Sequence, residues 1–108
     1  MFCVCSALAY SPLGFQMEER GKIEASRKEI DRLDDEILRL LNERSHHVIA
    51  IGKAKRKDDP SALLRTPARE AAIVERLGQQ NTGPFPNDAI RPVYREIMSA
   101  SLSLEGTQ

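Results

Sequence analysis

Apolar residues recur with a helical period between residues 21 and 57 of the chain. Written in heptads, two adjoining seam positions are mostly apolar: Ile30, Ile37, Arg44 and Ile51 on the first, and Leu33, Leu40, His47 and Ala54 on the second. A seam of this width predicts an amphipathic helix. Ser26, with Glu29 three residues later, predicts its N-cap. We therefore expect one helix from Ser26 to Arg56, about 45 Å long.

Two shorter helices are predicted after a loop around Pro60. Thr66 followed by Pro67 predicts the start of the second helix, and Gly78 its end. Asn87 or Asp88 caps the third, in which Pro92 removes one backbone hydrogen bond near the start. Their inward faces are predicted to hold Ala71, Ile73, Val74 and Leu77 in the second helix, and Ile90, Val93, Tyr94, Ile97, Met98 and Leu102 in the third. The pattern thus predicts an all-α fold with three helices.

The long helix carries more apolar surface than the rest of a 108-residue chain can cover. Soluble monomers rarely expose a patch of that size. We therefore expect a homodimer in which two long helices pack against each other.

The first 15 residues are mildly apolar, but Lys and Arg are absent before Arg20, and Pro12 and Gly14 interrupt the run. This pattern argues against a secretory signal peptide. We expect residues 1–21 to be an N-terminal extension that is disordered or precedes the true start at Met17, and residues 22–108 to form the helical domain. Cys3 and Cys5 are too close for an ordinary disulfide, which favours a reducing, cytoplasmic location.

Acidic and basic residues balance at 16 each, so the formal net charge is zero. A nucleic-acid-binding domain usually carries a net or clustered basic charge, so nucleic acid is not expected as a partner. No run approaches the ~20 apolar residues that span a bilayer, so a membrane partner is not expected either.

Cations occupy the apolar seam of the long helix. Arg44 stands between Ile37 and Ile51, and Lys55, 11 residues further on, lies about 20° from the same line. Arg27 shares the heptad phase of Lys55. An inward cation needs a carboxylate, a phosphate or an escape to water. Taken singly, each could extend to water or pair with an acid such as Asp34.

The other two helices also place polar groups beside their apolar faces. Ser101 and Glu105 continue the inward line of Ile97, and Arg69 and Glu70 open the second helix. Polar groups from three helices that meet in one interior predict a pocket for a small polyanion.

Metal and nucleophilic chemistry find no support in the sequence. His46 and His47 are adjacent and so point about 100° apart on a helix, which prevents them from sharing a metal. There is no glycine-rich phosphate loop and no serine–histidine–acid arrangement. We expect no cofactor.

Four segments together resemble the all-helical class of chorismate mutase, and in particular the mutase domain that bacteria often fuse to prephenate dehydratase. They are RKEIDRLDDEILRLLNER, VIAIGKAK, TPAREAAIVERL and IRPVYREIMSASLSLE, and they cover about residues 24 to 105. The resemblance implies an isomerase of the intramolecular-transferase type that converts the dianion chorismate to prephenate on the route to phenylalanine and tyrosine. It also implies an intertwined homodimer, with each active site completed by the partner's first helix.

The resemblance assigns roles to the cations. Arg27 corresponds to an arginine that reaches from the other subunit to a substrate carboxylate, and Arg44 to the arginine that binds a carboxylate within the subunit. Lys55 corresponds to the lysine that hydrogen-bonds the ether oxygen and stabilises the transition state. Arg69 matches an additional arginine of the site.

The remaining positions are polar but not cationic. Glu70 matches the acid that holds the ring hydroxyl, and Ser101 the serine near a carboxylate. Glu105 falls where some members have a glutamine that donates to the ether oxygen, so its carboxyl would have to be protonated to donate. Thr66 falls near a position that is aspartate in some members, and the preceding loop is longer than in some.

Two other functions remain open at this point. One is a relative on the same scaffold that eliminates pyruvate from isochorismate. The other is a non-catalytic helical dimerisation module, in which the seam cations only set the register. The sequence also leaves open whether this chain works alone or is the front of a longer enzyme with a dehydratase.

Overall fold

The computed structural model describes the backbone of residues 12–61 and 65–105, and the side chains of residues 16–61 and 65–104. The described residues form three helices, which we call α1 (Pro12–Asp58), α2 (Pro67–Gln80) and α3 (Asn87–Glu105). They contain no strand. The prediction of an all-α fold with one very long helix is confirmed.

Helix α1 begins at Pro12 and not at the predicted Ser26. Residues 16–25 read QMEERGKIEA, in which Gly21 is the only poor helix former, so nothing forces the helix to begin at the capping motif. Proline is well suited to a first helical turn because its missing N–H has no partner there. Of the predicted N-terminal extension, residues 12–21 belong to α1, while residues 1–11, with Cys3 and Cys5, lie outside the described part.

The chain divides into two compact units, Met1–Leu40 and Leu41–Gln108. In the described part of the first unit, one face of α1 carries ion pairs between residues three positions apart. Arg32 lies 3.2 Å from Glu29, and Arg39 lies 2.6 Å from Glu36. The hydrogen bond and charge of Arg39 hold the pKa of Glu36 below its usual range. Such exposed pairs add modest support to a helix.

The seam of this first unit carries apolar residues that the described part of the unit leaves about half exposed. Ile37 is 55% exposed, and its seam neighbours are close to half exposed: Ile30, Leu33 and Leu40. The amphipathic pattern predicted from the sequence is therefore present, and its apolar face stays about half exposed in the described residues of this unit.

The second unit has a small core where α2 packs on α3. Ile73 and Ile90 are buried, with 6% and 8% of their surfaces exposed. Two residues predicted to face inward do not: Ala71 and Val93 are exposed, because a two-helix contact covers only a narrow strip of each helix. Gly52 of α1 is buried and does not interrupt the helix.

Helix α2 ends later than predicted, at Gln80 and not at Gly78. Gly78 does not adopt a positive φ, so it is not a left-handed C-terminal stop. The helix ends where Asn81 becomes extended and its backbone N–H donates to the Leu77 carbonyl. The side-chain amide of Asn81 donates to the Phe85 carbonyl oxygen at 2.7 Å, which stabilises the turn towards α3.

Helix α3 starts at Asn87, one of the two residues predicted to cap it, and continues through Pro92. Pro92 is the sixth residue of this helix, so the hydrogen bond that an N–H there would donate to the Asp88 carbonyl is missing. No helix in the described part of the chain is both long and apolar enough to cross a membrane.

Candidate active site

A cavity of about 370 Å³ in the unit formed by residues 41–108 contains five of the predicted site residues. These are Arg44, Lys55, Arg69, Glu70 and Ser101. The remaining lining residues are mostly apolar: Val48, Ile51, Thr66, Ile73, Met98 and Leu102. The volume is in the range of pockets for small molecules, and the mixture of an apolar lining with a few polar groups is typical of them.

Helix α1 contributes one straight line of this lining. Arg44, Val48, Ile51 and Lys55 follow one another at intervals of four, three and four residues. This spacing keeps successive side chains on one face of an α-helix, so the seam positions predicted from the heptads do share a pocket wall. The helical periodicity that predicted an inward Arg44 also predicts that Val48 and Ile51 lie on the same face.

The guanidinium of Arg44 is held by Ser101, which is on α3. Nη1 of Arg44 donates to Ser101 Oγ at 2.9 Å, and that hydroxyl donates in turn to the Ile97 carbonyl oxygen at 2.8 Å. Only 9% of Ser101 is exposed, whereas Arg44 is half-buried, so this hydrogen-bonded pair is partly shielded from water. Because a guanidinium has five N–H donors, most of those of Arg44 remain available to a carboxylate.

Lys55 is half-buried and lies near the end of α1. Its backbone carbonyl accepts a hydrogen bond from the Asp59 N–H at 2.8 Å, which closes the last turn of the helix. Ser61 N–H donates to the Asp59 carboxylate at 3.0 Å and continues this cap. The backbone that carries Lys55 is therefore fixed at the point where the chain leaves the helix. Although Lys55 belongs to the basic run of residues 53–57, its side chain lines the cavity and is not fully solvated.

Arg69 and Glu70 enter from the first turn of α2. The N–H of Glu70 donates to the Thr66 carbonyl at 3.1 Å, while the Thr66 side chain makes no capping bond. Glu70 Oε1 lies 3.5 Å from Nη2 of Arg65, and the Glu70 side chain is 26% exposed. Sequence reasoning did not identify Arg65, because it belongs to the loop before α2 and has no helical phase.

The charges of the pocket favour an anion. Three cations, Arg44, Lys55 and Arg69, face one carboxylate, Glu70, so two positive charges are in excess. Within the described side chains, no hydrogen bond or ion pair engages the Arg69 guanidinium. A cation that is partly withdrawn from water, as Arg44 is, is stabilised by an anionic ligand in the pocket.

Two predicted site residues are not placed in this cavity. Arg27 belongs to the other unit, where its exposed guanidinium lies 3.8 Å from the equally exposed Glu24. Exposed pairs of this kind contribute little, so the contact does not commit Arg27 to that partner. The backbone of Glu105 ends α3, but its side chain lies outside the described residues.

Other chemistry has no comparable site in the described part of the chain. His46 and His47 are exposed on α1, and the described residues include no group of three or more His, Cys, Asp or Glu side chains placed to hold a metal. Another cavity, of about 320 Å³, is lined mainly by apolar residues around Leu77, Phe85 and Val93 and has no cation in its lining. The cavity lined by Arg44, Lys55 and Arg69 is therefore the candidate active site.

Comparison with known proteins identifies the family of the chain. A family model described as chorismate mutase type II matches residues 26–106, which include Arg27 and every residue that lines the cavity. A solved structure of chorismate mutase (Form II) from Thermus thermophilus superimposes with a TM-score of 0.75 at 42% identity, and the match covers 81% of this chain and 97% of that one. Form I from the same organism gives a TM-score of 0.68 at 41% identity, covering 74% and 98%.

Curated relatives carry a double name. The bifunctional chorismate mutase/prephenate dehydratase of Aquifex aeolicus is 46% identical over an alignment of 93 residues, and the match covers 82% of this chain and 24% of that protein. The protein of the same name from Neisseria gonorrhoeae is 44% identical over 79 residues, 73% of this chain and 21% of that protein. The present chain thus spans about a quarter of the length of these relatives.

Proposed function

This chain belongs to the chorismate mutase type II family, and from that membership we propose that it rearranges chorismate to prephenate in the pocket of Arg44, Lys55 and Arg69. The observation that carries the proposal is the composition of the pocket: an excess of two positive charges above an apolar lining. Chorismate is a dianion with a hydrophobic ring, so its charge and its shape both match this cavity.

The first task of the site is to hold a flexible substrate in its compact reactive conformation. Arg44, fixed by its bond to Ser101, binds one carboxylate of chorismate as a bidentate partner. Val48, Ile51 and Ile73 pack against the ring. Restricting a bound reactant in this way can supply several kcal/mol of an intramolecular barrier.

The second task is to stabilise the charge that develops as the ether C–O bond breaks and the new C–C bond forms. The reaction is an isomerisation, so no group is lost and no proton transfer is needed. Lys55 donates to the ether oxygen and stabilises its growing negative charge, an effect that is stronger in a partly dehydrated pocket than in water. Glu105, when protonated, is the second donor to this oxygen.

The remaining residues orient the substrate. Glu70 accepts a hydrogen bond from the ring hydroxyl, and Arg69 adds positive charge beside the second carboxylate. No cofactor or metal has a role in these steps.

A second copy of the chain completes the site. The half-exposed seam of Ile30, Leu33, Ile37 and Leu40 supports a homodimer, because packing against the same seam of a partner would cover it. In that dimer, Arg27 binds the second carboxylate in the partner's pocket.

Only the mutase half of the relatives' double name is proposed for this chain. The mass of the intact protein from its source cells decides whether a dehydratase accompanies it.

Two alternatives are less well supported. An isochorismate pyruvate-lyase would use the same scaffold, but the relatives and solved structures named above are chorismate mutases. A non-catalytic dimerisation module would not need Arg69, Glu70 and Ser101 to converge on the seam cations of α1.

The test is the loss of chorismate absorbance after addition of purified protein, corrected for the spontaneous rearrangement, with prephenate identified by NMR. We expect saturable conversion to prephenate. Pyruvate release from isochorismate without conversion of chorismate would establish the lyase, and no reaction of either substrate would establish the structural module.

A further inference from the structure

A second set of arginines lines two further cavities beside α2 and α3. The cavities measure about 290 Å³ and about 180 Å³, and both are lined by Arg65, Glu70, Arg95 and Met98. Arg91 lines the larger one. These arginines have no part in the mutase chemistry described above, in which the arginines are Arg27, Arg44 and Arg69.

The charges of this second set are poorly balanced. Arg91 and Arg95 are four residues apart on α3, an arrangement in which like charges destabilise a helix. Within the described residues, no carboxylate lies within ion-pair distance of either one. Glu70 is the only acid that lines these cavities, and it lies 3.5 Å from Arg65. Two positive charges are therefore in excess here too.

Arg65, Arg91 and Arg95 are exposed, but apolar residues lie beside them. The larger cavity has an apolar lining of Pro67, Ala71, Val74 and Met98. Pro67 and Ala71 belong to the first turns of α2, whose N-terminus receives no hydrogen bond from the Thr66 side chain. An uncapped N-terminus of a 14-residue helix carries a partial positive charge that adds to that of the arginines.

We propose that Arg65, Arg91 and Arg95 form a second binding site, for a small organic anion that carries a carboxylate or a phosphate on an apolar body. Arg91 and Arg95 bind the anionic group, and Val74 and Met98 pack against the apolar part. Glu70, Met98 and Leu102 line both this arginine site and the candidate active site, so a ligand in one contacts the wall of the other. The proposal does not depend on the reaction that the active site catalyses.

The test follows the arginine Nε–Hε signals of the full chain by NMR during titration at constant ionic strength. One arm uses inorganic phosphate and the other uses phenylacetate, which separates phosphate recognition from recognition of a carboxylate on an apolar body. We expect saturable shifts of the Arg91 and Arg95 signals in at least one arm. Arg91→Ala and Arg95→Ala should each raise the Kd about tenfold, the effect of losing a charged hydrogen bond.

Arg76→Ala is the matched control, since Arg76 is exposed on α2 and lines neither cavity. It should leave the Kd unchanged, and circular dichroism checks that all variants are folded. The titration is repeated in Arg44→Ala, in which anion binding to the active site is weakened and the shifts of Arg91 and Arg95 should persist. Linear shifts without saturation in both arms, an equal loss in Arg76→Ala, or disappearance of the shifts in Arg44→Ala would each overturn the proposal.

Discussion

Residues 12–40 and residues 41–105 carry apolar residues at the same helical spacing, but these residues have different surroundings. In the first region, seam residues such as Ile30 and Ile37 are more than half exposed, whereas Ile73 and Ile90 in the second are nearly covered. A hydrophobic period therefore specifies which face of a helix must be covered, but not which partner covers it. In the second region, Ile73 and Ile90 are covered within the chain, although Ile51 is 51% exposed, and we propose that the first region is covered by another copy.

The seam cations differ in the same way. Arg27 lies on an exposed stretch of helix and makes only a loose contact with Glu24. Arg44 lies where three helices line one cavity and is bound to the buried Ser101. A cation becomes part of a binding site when other helices line a cavity around it. A second copy of the chain would supply such a cavity for Arg27.

The largest expected effect concerns the cavity of the second region. Lys55→Ala and Arg44→Ala should each lower kcat/KM for chorismate by at least about 10²–10³-fold. The first removes the charge that stabilises the ether oxygen in the transition state, and the second removes the partner of a substrate carboxylate. Helicity by circular dichroism and mass by light scattering should not change. Lys53→Ala is the matched control, since Lys53 is exposed and is not part of the cavity lining. Activity within a few-fold of wild type in Lys55→Ala would argue against the site.

The next effect concerns the exposed seam of the first region. Ile37→Asp should weaken self-association by at least about 100-fold, because a packed seam would bury an unpaired charge. Light scattering after size exclusion should then show the monomer mass at micromolar concentration, with activity lost in parallel. Leu38→Asp is the control, since Leu38 is similarly exposed but lies off the seam. If both variants keep the wild-type mass, the seam is not an interface.

A smaller effect should appear in the pH profile. If Glu105 donates to the ether oxygen, its protonated form is the active one. Activity is then present at low pH and falls as pH rises, by up to about tenfold per unit. Glu105→Gln should flatten the profile of kcat/KM between pH 5 and about pH 9, while Glu96→Gln should keep the wild-type slope. A flat wild-type profile would remove Glu105 from the proposed chemistry.

The smallest effect tests the support behind Arg44. Ser101→Ala removes the acceptor of the 2.9 Å bond and should reduce kcat/KM about twofold to tenfold, the usual value of one hydrogen bond. Ser103→Ala is the control, because its hydroxyl makes a similar bond to the Ala100 carbonyl on an exposed face. Equal effects of the two changes would mean that Ser101 stabilises α3 and does not position Arg44.

Much of the fold could be predicted because it depends on local rules. Helical periodicity identified α1, and the pair Thr66–Pro67 identified the start of α2. The errors are at helix ends, whose position depends on whether the adjoining residues can extend the helix. Ser26 forms a good capping motif, but the helix continues through it, and Gly78 lies inside a helix that ends at Gln80. A capping signal is used only when the neighbouring residues cannot continue the helix.

The site was predictable where its residues share a helical phase. Arg44 and Lys55 stood out because a charge on an apolar seam requires a partner. The ion pair of Arg65 with Glu70, and the cavities shared with Arg91 and Arg95, depend on how loops and helices meet in three dimensions. No spacing rule in the sequence encodes that contact.

The measurement that tests the central claim most directly is complementation between two inactive variants, Arg27→Ala and Lys55→Ala. If each active site takes Arg27 from one copy and Lys55 from the other, half of the dimers in a re-equilibrated equal mixture pair the two variants. Each of those has one site with both residues intact, so about a quarter of the wild-type activity should return. A mixture that is no more active than the two variants measured separately would contradict the claim that the two regions meet across copies.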